Sequence, residues 1–296
     1  MFTVNSYAAL TPSAPLAPYT LQRRLAGPTD VVIDIHFCGV CHTDLHFAKN
    51  DLGMTRYPLV PGHEIAGVVA SVGNGVDRFI AGDRVGVGCL VNACRACASC
   101  SAGEEQYCAG MVMTYGSDDR DGSITQGGYS TWIVVDEAFV LHIPASLPLD
   151  NAAPLLCAGI TTYSPLRTWK AGTGTRVAVI GLGGLGHRAV KFAAAMGAET
   201  TVISTSEGKR GDALRLGATS FLLSKDDEAM RAAAGSFDLI LNTVSSVHEV
   251  NNHLALLAKD GTMVMLRICK YITSRLRRAQ QAAPLQMPGR LFFYSP

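Results

Sequence analysis

The strongest constraint on the fold lies mid-chain. An apolar, strand-like run at residues 176–180 leads directly into Gly181-Leu182-Gly183-Gly184-Leu185-Gly186, and then into a helical pattern. Leu185, Ala189, Phe192, Ala193 and Met196 fall on one helical face. A glycine triplet alone is a weak signal. Between a strand and an amphipathic helix it is the dinucleotide fingerprint: the glycines permit a tight turn and let a pyrophosphate approach the helix N-terminus. A merely glycine-rich turn is the alternative. Strand-like runs follow at residues 200–204, 220–223, 237–242 and 262–266, alternating with helical segments. Together they predict a doubly wound sheet with five candidate parallel strands.

The second of these runs bears on coenzyme choice. An NAD site usually ends this strand with an acidic residue that bonds the ribose hydroxyls. Here it ends Ser204-Thr205-Ser206, and Lys209 and Arg210 follow. A carboxylate would repel a 2′-phosphate, whereas hydroxyls and cations bind one. Glu207, the nearby acid, lies beyond the strand end. The reading is NADP in preference to NAD.

The first half has a different grammar. Short alternating runs at residues 31–37, 65–72 and 84–87 are separated by Gly, Pro and Asp turns, which suggests a compact barrel-like β domain. Its chemistry lies between residues 39 and 64, in Gly39-Val40-Cys41-His42-Thr43-Asp44-Leu45-His46 and Pro61-Gly62-His63-Glu64. A further thiol, Cys157, sits in an apolar segment that reads as helical over residues 152–162, with Thr161 one turn later. Two thiols and one imidazole can bind zinc and leave a fourth position open, the pattern of a catalytic site. Asp44 can accept from the His63 ring and fix its tautomer. Taken singly, Thr43 and His46 also read as capping or surface groups, and Tyr129 and Trp132 as core residues in preference to the lining of a substrate pocket.

Cys94, Cys97, Cys100 and Cys108 form a second thiol set, whose tight spacing reads as a closed structural zinc site. A pair of disulfides and an iron–sulfur site are the alternatives. The lobe has few large apolar residues, so a metal can do what a core cannot. Cys38, Cys89 and Cys269 have no partners at ligand spacing and read as small core residues or incidental thiols, and His36 and His142 as packed or surface histidines.

The nine cysteines, with no basic, apolar leader at residues 1–21, point to a reducing, cytoplasmic setting. A formal net charge of +1 gives no sign of a nucleic-acid partner, and no apolar run is long enough to span a membrane. Proline-punctuated residues 144–154 mark a domain boundary. The expected division is 1–150 for the zinc-binding β domain, 151–266 for the nucleotide-binding domain and 267–296 for a tail.

These motifs, in this order, make the chain resemble the zinc-dependent medium-chain dehydrogenase/reductase family. It looks most like the cinnamyl-alcohol-dehydrogenase-like branch of actinobacterial NADP-dependent alcohol dehydrogenases. The likeness runs over roughly residues 1–266 and includes Leu241-Asn242-Thr243-Val244-Ser245. The resemblance implies a GroES-like catalytic domain joined to a Rossmann domain. It implies a catalytic zinc on Cys41, His63 and Cys157, with Glu64 as an alternative or transient ligand. It implies a structural zinc on Cys94, Cys97, Cys100 and Cys108. Thr43 and His46 would relay a proton. His42 would lie near the coenzyme pyrophosphate, Thr161 near the nicotinamide, and Thr243 and Val244 beside the glycine loop. The implied reaction is reversible reduction of an aldehyde to a primary alcohol with NADPH, on benzyl- or cinnamyl-type small molecules, in a homodimer.

The end departs from the family. From Arg267 the sequence turns to Arg267-Ile268-Cys269-Lys270, a basic stretch at residues 275–278 and a final segment at 284–296, none of which resembles the family's last strand and helix. A Rossmann sheet without its sixth strand would leave the fifth as an unprotected edge. Two functions from different classes therefore stand: a working reductase, and a non-catalytic chain that keeps its metal sites. A zinc-independent quinone reductase of the same fold has no need of Cys41, His63 and Cys157.

Overall fold

The structure is a computed structural model that describes residues 1–245 and 248–266, and the backbone of residues 290–293. The chain divides into two compact units, residues 1–157 and 158–296. The division falls at Cys157 rather than after residue 150. The reason is packing: Ala152 and Ala153 are buried with Ala66 and Ile143, and Leu156 lies over Gly86, so this segment belongs to the first unit.

In the first unit, β1 (Phe2–Ala8) and β2 (Ala17–Arg23) pair antiparallel. β3 (Asp30–Cys38) leads into α1 (His42–Ala48), then β4 (Ile65–Val72) and β5 (Arg84–Val87). β6 (Leu90–Asn92), α2 (Ala98–Ser101) and β7 (Val112–Met113) frame the cysteine lobe. β8 (Trp132–Asp136), β9 (Leu141–His142) and α3 (Leu149–Ala152) complete the unit. The main sheet is antiparallel with strand order β8-β3-β4-β5-β9. Alternate residues Val31, Ile33, Ile65, Val85, Val87, Ile133 and Val135 face one core, which is why these runs read as period-two strands.

The second unit alternates helix and strand: α4 (Ala158–Thr168), β10 (Arg176–Ile180), α5 (Gly184–Ala195), β11 (Glu199–Ser204) and α6 (Arg210–Arg215). It continues with β12 (Ser220–Leu223), α7 (Asp227–Ala232), β13 (Phe237–Asn242), α8 (Val250–Leu254), β14 (Leu257–Met265) and β15 (Arg290–Phe293). The sheet is parallel with order β12-β11-β10-β13-β14-β15, the doubly wound order with its switch point between β10 and β13. Ligands of such sheets bind outside the strand C-termini at that switch point. Here those termini carry Gly181 and Thr243.

Two expectations are corrected. Among the described residues the sheet has six strands, not five: β15 runs parallel to β14, with Thr262 opposite Arg290 and Met265 opposite Phe293. The uncovered fifth strand expected from the altered terminus is therefore paired. Nor is the helix expected over residues 152–162 continuous. Residues Ala153–Leu156 form a 3-10 turn, and Cys157, at φ −129° and ψ −71°, breaks the run before α4. Cys269, the basic stretch 275–278 and the rest of the expected tail lie outside the described residues.

Close packing explains one glycine and leaves another to function. A Cβ on Gly186 would overlap the Gly181 carbonyl oxygen, so α5 can approach β10 only without a side chain there. A Cβ on Gly183 would meet nothing within 4 Å. Gly186→Ala is therefore expected to cost about 1–3 kcal/mol of stability by overpacking. Gly183→Ala should cost less than about 1 kcal/mol, the N-cap preference of glycine over alanine. Urea unfolding of the two variants checks this.

Candidate active site

α1 begins at Cys41, whose backbone N–H donates to Asp44 Oδ2 at 2.9 Å, the return half of a capping box. This fixes the Cys41 side chain at the helix entrance. Gly62 at φ +102° turns the chain so that His63 follows into the same space. The break at Cys157 brings in the third group. The Cys41, His63 and Cys157 ligand atoms all lie within 4.8 Å of one another. The Sγ atoms of Cys41 and Cys157 are 3.9 Å apart. Tetrahedral geometry at Zn–S distances of about 2.3 Å puts two sulfurs about 3.8 Å apart, whereas a disulfide needs about 2.05 Å. The three residues fit a zinc ion.

The electrostatics agree. The neighbouring Cys157 thiol and burial push the Cys41 thiol up to about 12. Two thiolates here need a cation as counter-charge. His63 is 4 % exposed, and its Nδ1 lies 3.1 Å from Asp44 Oδ1. Asp44 thereby holds Nδ1 protonated and leaves Nε2 as the free ligand atom. Burial works to raise the Asp44 carboxyl, but the His63 ring and the N–H groups of Cys41 and Gly62 hold it below the usual range.

Glu64 is not in the ligand group. It is buried, and its carboxylate lies where a side chain on Gly39 would be, so it faces that turn. Cys89 is half-buried, lies outside both ligand groups, and acts with burial to raise the Cys157 thiol. Thr43 and His46 share a face of α1. Cys41 Sγ donates to Thr43 Oγ1 at 3.6 Å, and His46 Nδ1 is 2.7 Å from Asp51 Oδ2. His42 stacks at a tilt on His46, with ring centroids 4.7 Å apart. His36 lies 3.6 Å from Asp34, and His142 packs on Phe79, as non-ligand histidines do.

Sequence reasoning read Tyr129 as core or pocket lining and did not single out Tyr115. Tyr129 Oη donates to Asp44 at 3.2 Å, and the Tyr115 ring lies 5.7 Å from the His63 ring. Both follow irregular segments with no periodic pattern, so only the three-dimensional register reveals them.

Cys94, Cys97, Cys100 and Cys108 also have ligand atoms within 4.8 Å of one another. Cys94 and Cys100 sulfurs are 3.9 Å apart, and Cys97 and Cys100 sulfurs 3.6 Å, again a tetrahedral edge and not a disulfide. Backbone N–H groups donate to sulfur: Cys97 to Cys94 at 3.4 Å, and Gly110 to Cys108 at 3.3 Å. The Ala96 N–H, with Cys108 and Cys97, holds the Cys94 thiol down to about 6. Burial and the neighbouring Cys97, Cys108 and Cys94 thiols push Cys100 the other way, up to about 12, so the loop lowers one thiol and raises another.

In the second unit, Gly181 at φ +88° closes the turn after β10. A Cβ there would lie 2.8 Å from Val244 Cγ2 and 3.0 Å from Thr243 Oγ1. Thr243 in turn donates to the Ile180 carbonyl at 2.8 Å, so Thr243 and Val244 lie directly against the glycine loop. Gly183 and Gly184 leave open space, a cradle that any side chain would fill, so these residues fit a dinucleotide. Leu185 is buried beneath them. At the end of β11, Ser204 Oγ accepts from the Ser206 N–H at 3.3 Å, and Thr205 is exposed. Lys209 Nζ reaches the Leu182 carbonyl at 3.3 Å, which places a cation beside the glycine loop. Arg210 pairs with Glu207 and lies 4.7 Å over the Phe221 ring. The one nearby acid is thus already neutralised. Thr161 in α4 is 3 % exposed, and its Oγ1 has no hydrogen-bond partner among the described residues.

Comparison with known proteins agrees with both halves. The model of the alcohol dehydrogenase GroES-like domain matches residues 27–145, and that of zinc-binding dehydrogenase matches residues 184–273. The second match extends past residue 266, where the likeness had been expected to stop. An NADP-dependent alcohol dehydrogenase C 1 from Mycolicibacterium smegmatis is 59% identical over 268 residues, covering 90% of this chain and 77% of the relative. A solved cinnamyl alcohol dehydrogenase from Sorghum bicolor superposes with TM-score 0.90 at 46% identity, covering 99% of this chain and 83% of that one. A CAD from Helicobacter pylori complexed with NADP(H) gives TM-score 0.86 at 36% identity, covering 98% and 83%. The chain belongs to the zinc-dependent medium-chain dehydrogenase/reductase family, in its cinnamyl-alcohol-dehydrogenase-like branch.

Proposed function

We propose that this chain is a zinc- and NADP-dependent oxidoreductase that interconverts aldehydes and primary alcohols of the cinnamyl or benzyl type. The observation that carries the reading is the gathering of Cys41, His63 and Cys157 with two sulfurs at a tetrahedral spacing of 3.9 Å. Three protein ligands leave the fourth position for substrate. When bound, zinc polarises a carbonyl oxygen as a Lewis acid and NADPH supplies hydride.

The chain's own residues do the rest. Asp44 orients His63. Thr43, next to the Cys41 sulfur, presents its hydroxyl to the substrate oxygen and delivers a proton in the reductive direction. His46, one helical turn on and half-exposed, exchanges that proton with solvent while Asp51 holds its Nδ1. Cys94, Cys97, Cys100 and Cys108 hold the second zinc and fix the lobe. Gly181, Gly183, Gly184 and Gly186 receive the coenzyme pyrophosphate, with His42 near it and Thr161 near the nicotinamide. Ser204, Thr205, Ser206, Lys209 and Arg210 receive the 2′-phosphate. The names of the relatives support NADP. No helix among the described residues is long and apolar enough to cross a membrane. The free thiols suit a cytoplasmic setting.

Purified protein is expected to oxidise NADPH with cinnamaldehyde, to turn over slowly with NADH, and to lose activity in Cys41→Ser. No turnover in folded, zinc-replete protein would sink the proposed activity while leaving the family intact. Elemental analysis should find two zinc ions per chain, one after Cys157→Ser and one after Cys108→Ser, matching the two ligand groups. Ser204→Asp puts a carboxylate beside the 2′-phosphate. Like-charge juxtaposition costs several kcal/mol, so KM for NADPH should rise at least about tenfold, with KM for NADH unchanged or lower.

A further inference from the structure

The loop over residues 126–132 carries a group that the reaction above does not use. Tyr129 Oη donates to Asp44 Oδ2 at 3.2 Å. Asp44 is 2 % exposed. Its Oδ1 accepts from Gly62 N–H at 2.9 Å and from the His63 ring at 3.1 Å, and its Oδ2 accepts from Cys41 N–H at 2.9 Å. A carboxylate offers about four acceptor sites. Tyr129 takes the last, opposite the one that holds His63.

The loop is built to keep it there. Arg23, 9 % exposed, has no carboxylate partner among the described residues and spends its guanidinium on this loop. Nε donates to the Trp132 carbonyl at 3.0 Å, Nη1 to that of Gln126 at 2.6 Å, and Nη2 to that of Gly127 at 2.8 Å and to Ser130 Oγ at 2.9 Å. Backbone N–H groups of Gly127, Gly128 and Tyr129 then donate to the carbonyls of Val60, Gly62 and Pro61 at 2.7, 2.8 and 2.9 Å. The loop is thereby laid along the segment that delivers His63. A Cβ on Gly62 would lie 2.6 Å from Tyr129 Cδ1, so the phenol ring rests on the peptide just before the ligand.

We propose that Tyr129 is a positioning residue of the catalytic zinc site: through Asp44 it fixes the His63 ring and slows metal loss. The inference rests on the reading of Cys41, His63 and Cys157 as zinc ligands. Without the phenol, one buried oxygen of Asp44 is left a donor short, the carboxylate is free to turn, and His63 is held by a less fixed partner. The four-cysteine site shares none of these groups and serves as an internal reference.

The test is the rate of zinc release to a chromogenic chelator from the full chain loaded with two zinc ions, one for each ligand group. Two phases are expected, assigned with Cys157→Ser and Cys108→Ser. In Tyr129→Phe the catalytic-site phase should quicken about ten- to a hundredfold, the effect of one lost bond to a charged group, with the structural-site phase unchanged. Asp44→Asn should quicken the same phase more. Adding Tyr129→Phe to it should do little further, because the phenol acts through the carboxylate. Cobalt placed at the catalytic site should show a shifted ligand-field spectrum in Tyr129→Phe. A wild-type rate in that variant, equal acceleration of both phases, or full additivity with Asp44→Asn would each overturn the proposal. A wild-type chain that holds one zinc, with none on Cys41, His63 and Cys157, would overturn the site reading and this inference with it.

Discussion

The geometry of the candidate active site hangs on the Asp44 carboxylate. It is buried, and it accepts from Cys41 N–H, Gly62 N–H, the His63 ring and Tyr129 Oη. An unpaired carboxylate at this depth would be strongly disfavoured. Satisfied by four donors, it becomes a fixed node joining the start of α1, the turn before His63 and the loop ahead of β8. Two candidate ligands, Cys41 and His63, lie 22 residues apart in sequence, yet both are tied to this one side chain.

The two thiol clusters have similar spacing, and in each of them burial and a neighbouring thiol oppose ionisation of at least one sulfur. At Cys41 and Cys157 the surroundings oppose ionisation, and the neighbouring thiol and burial hold Cys41 at about 12. Such a site would gain its thiolates only together with a cation, and His63 as third ligand would bind it as a neutral imidazole, which keeps the total charge low. In the four-cysteine lobe the peptide N–H groups bring Cys94 to about 6, while burial and the neighbouring thiols hold Cys100 at about 12. Backbone donors take the place of a buried core there. The lobe between β6 and β7 has few large apolar side chains, so cross-linking by metal is what can hold its shape.

Much of this was legible in the sequence because it follows short-range rules. The runs at 65–72 and 84–87 are β4 and β5 to the residue, since alternation with a buried face admits one register. The strand–glycine–helix unit was legible for the same reason: Gly181 needs a positive φ and Gly186 a bare approach, and both demands appear as residue identity. The ligand residues could be named by type and spacing. Their convergence could not, because the turn at Cys157 arises from tertiary packing of Ala152, Ala153 and Leu156 on the β domain, against a local helical pattern. Nor could β15. Residues 290–293 carry no family motif, and a strand that joins the edge of a parallel sheet is chosen by the exposed backbone of β14 rather than by its own periodicity.

Glu64 shows the limit from the other side. By type and position beside His63 it was as good a candidate ligand as any acid in the chain. Yet adjacent residues of extended backbone point to opposite faces, and β4 starts directly after Glu64. Once His63 faces Cys41 and Cys157, its neighbour is turned toward Gly39, where the absence of a side chain makes room for the carboxylate. The glycine at position 39 is therefore part of the same arrangement as the ligands. Its bare Cα lets a buried acid sit one residue from the imidazole without joining the group that can hold the metal.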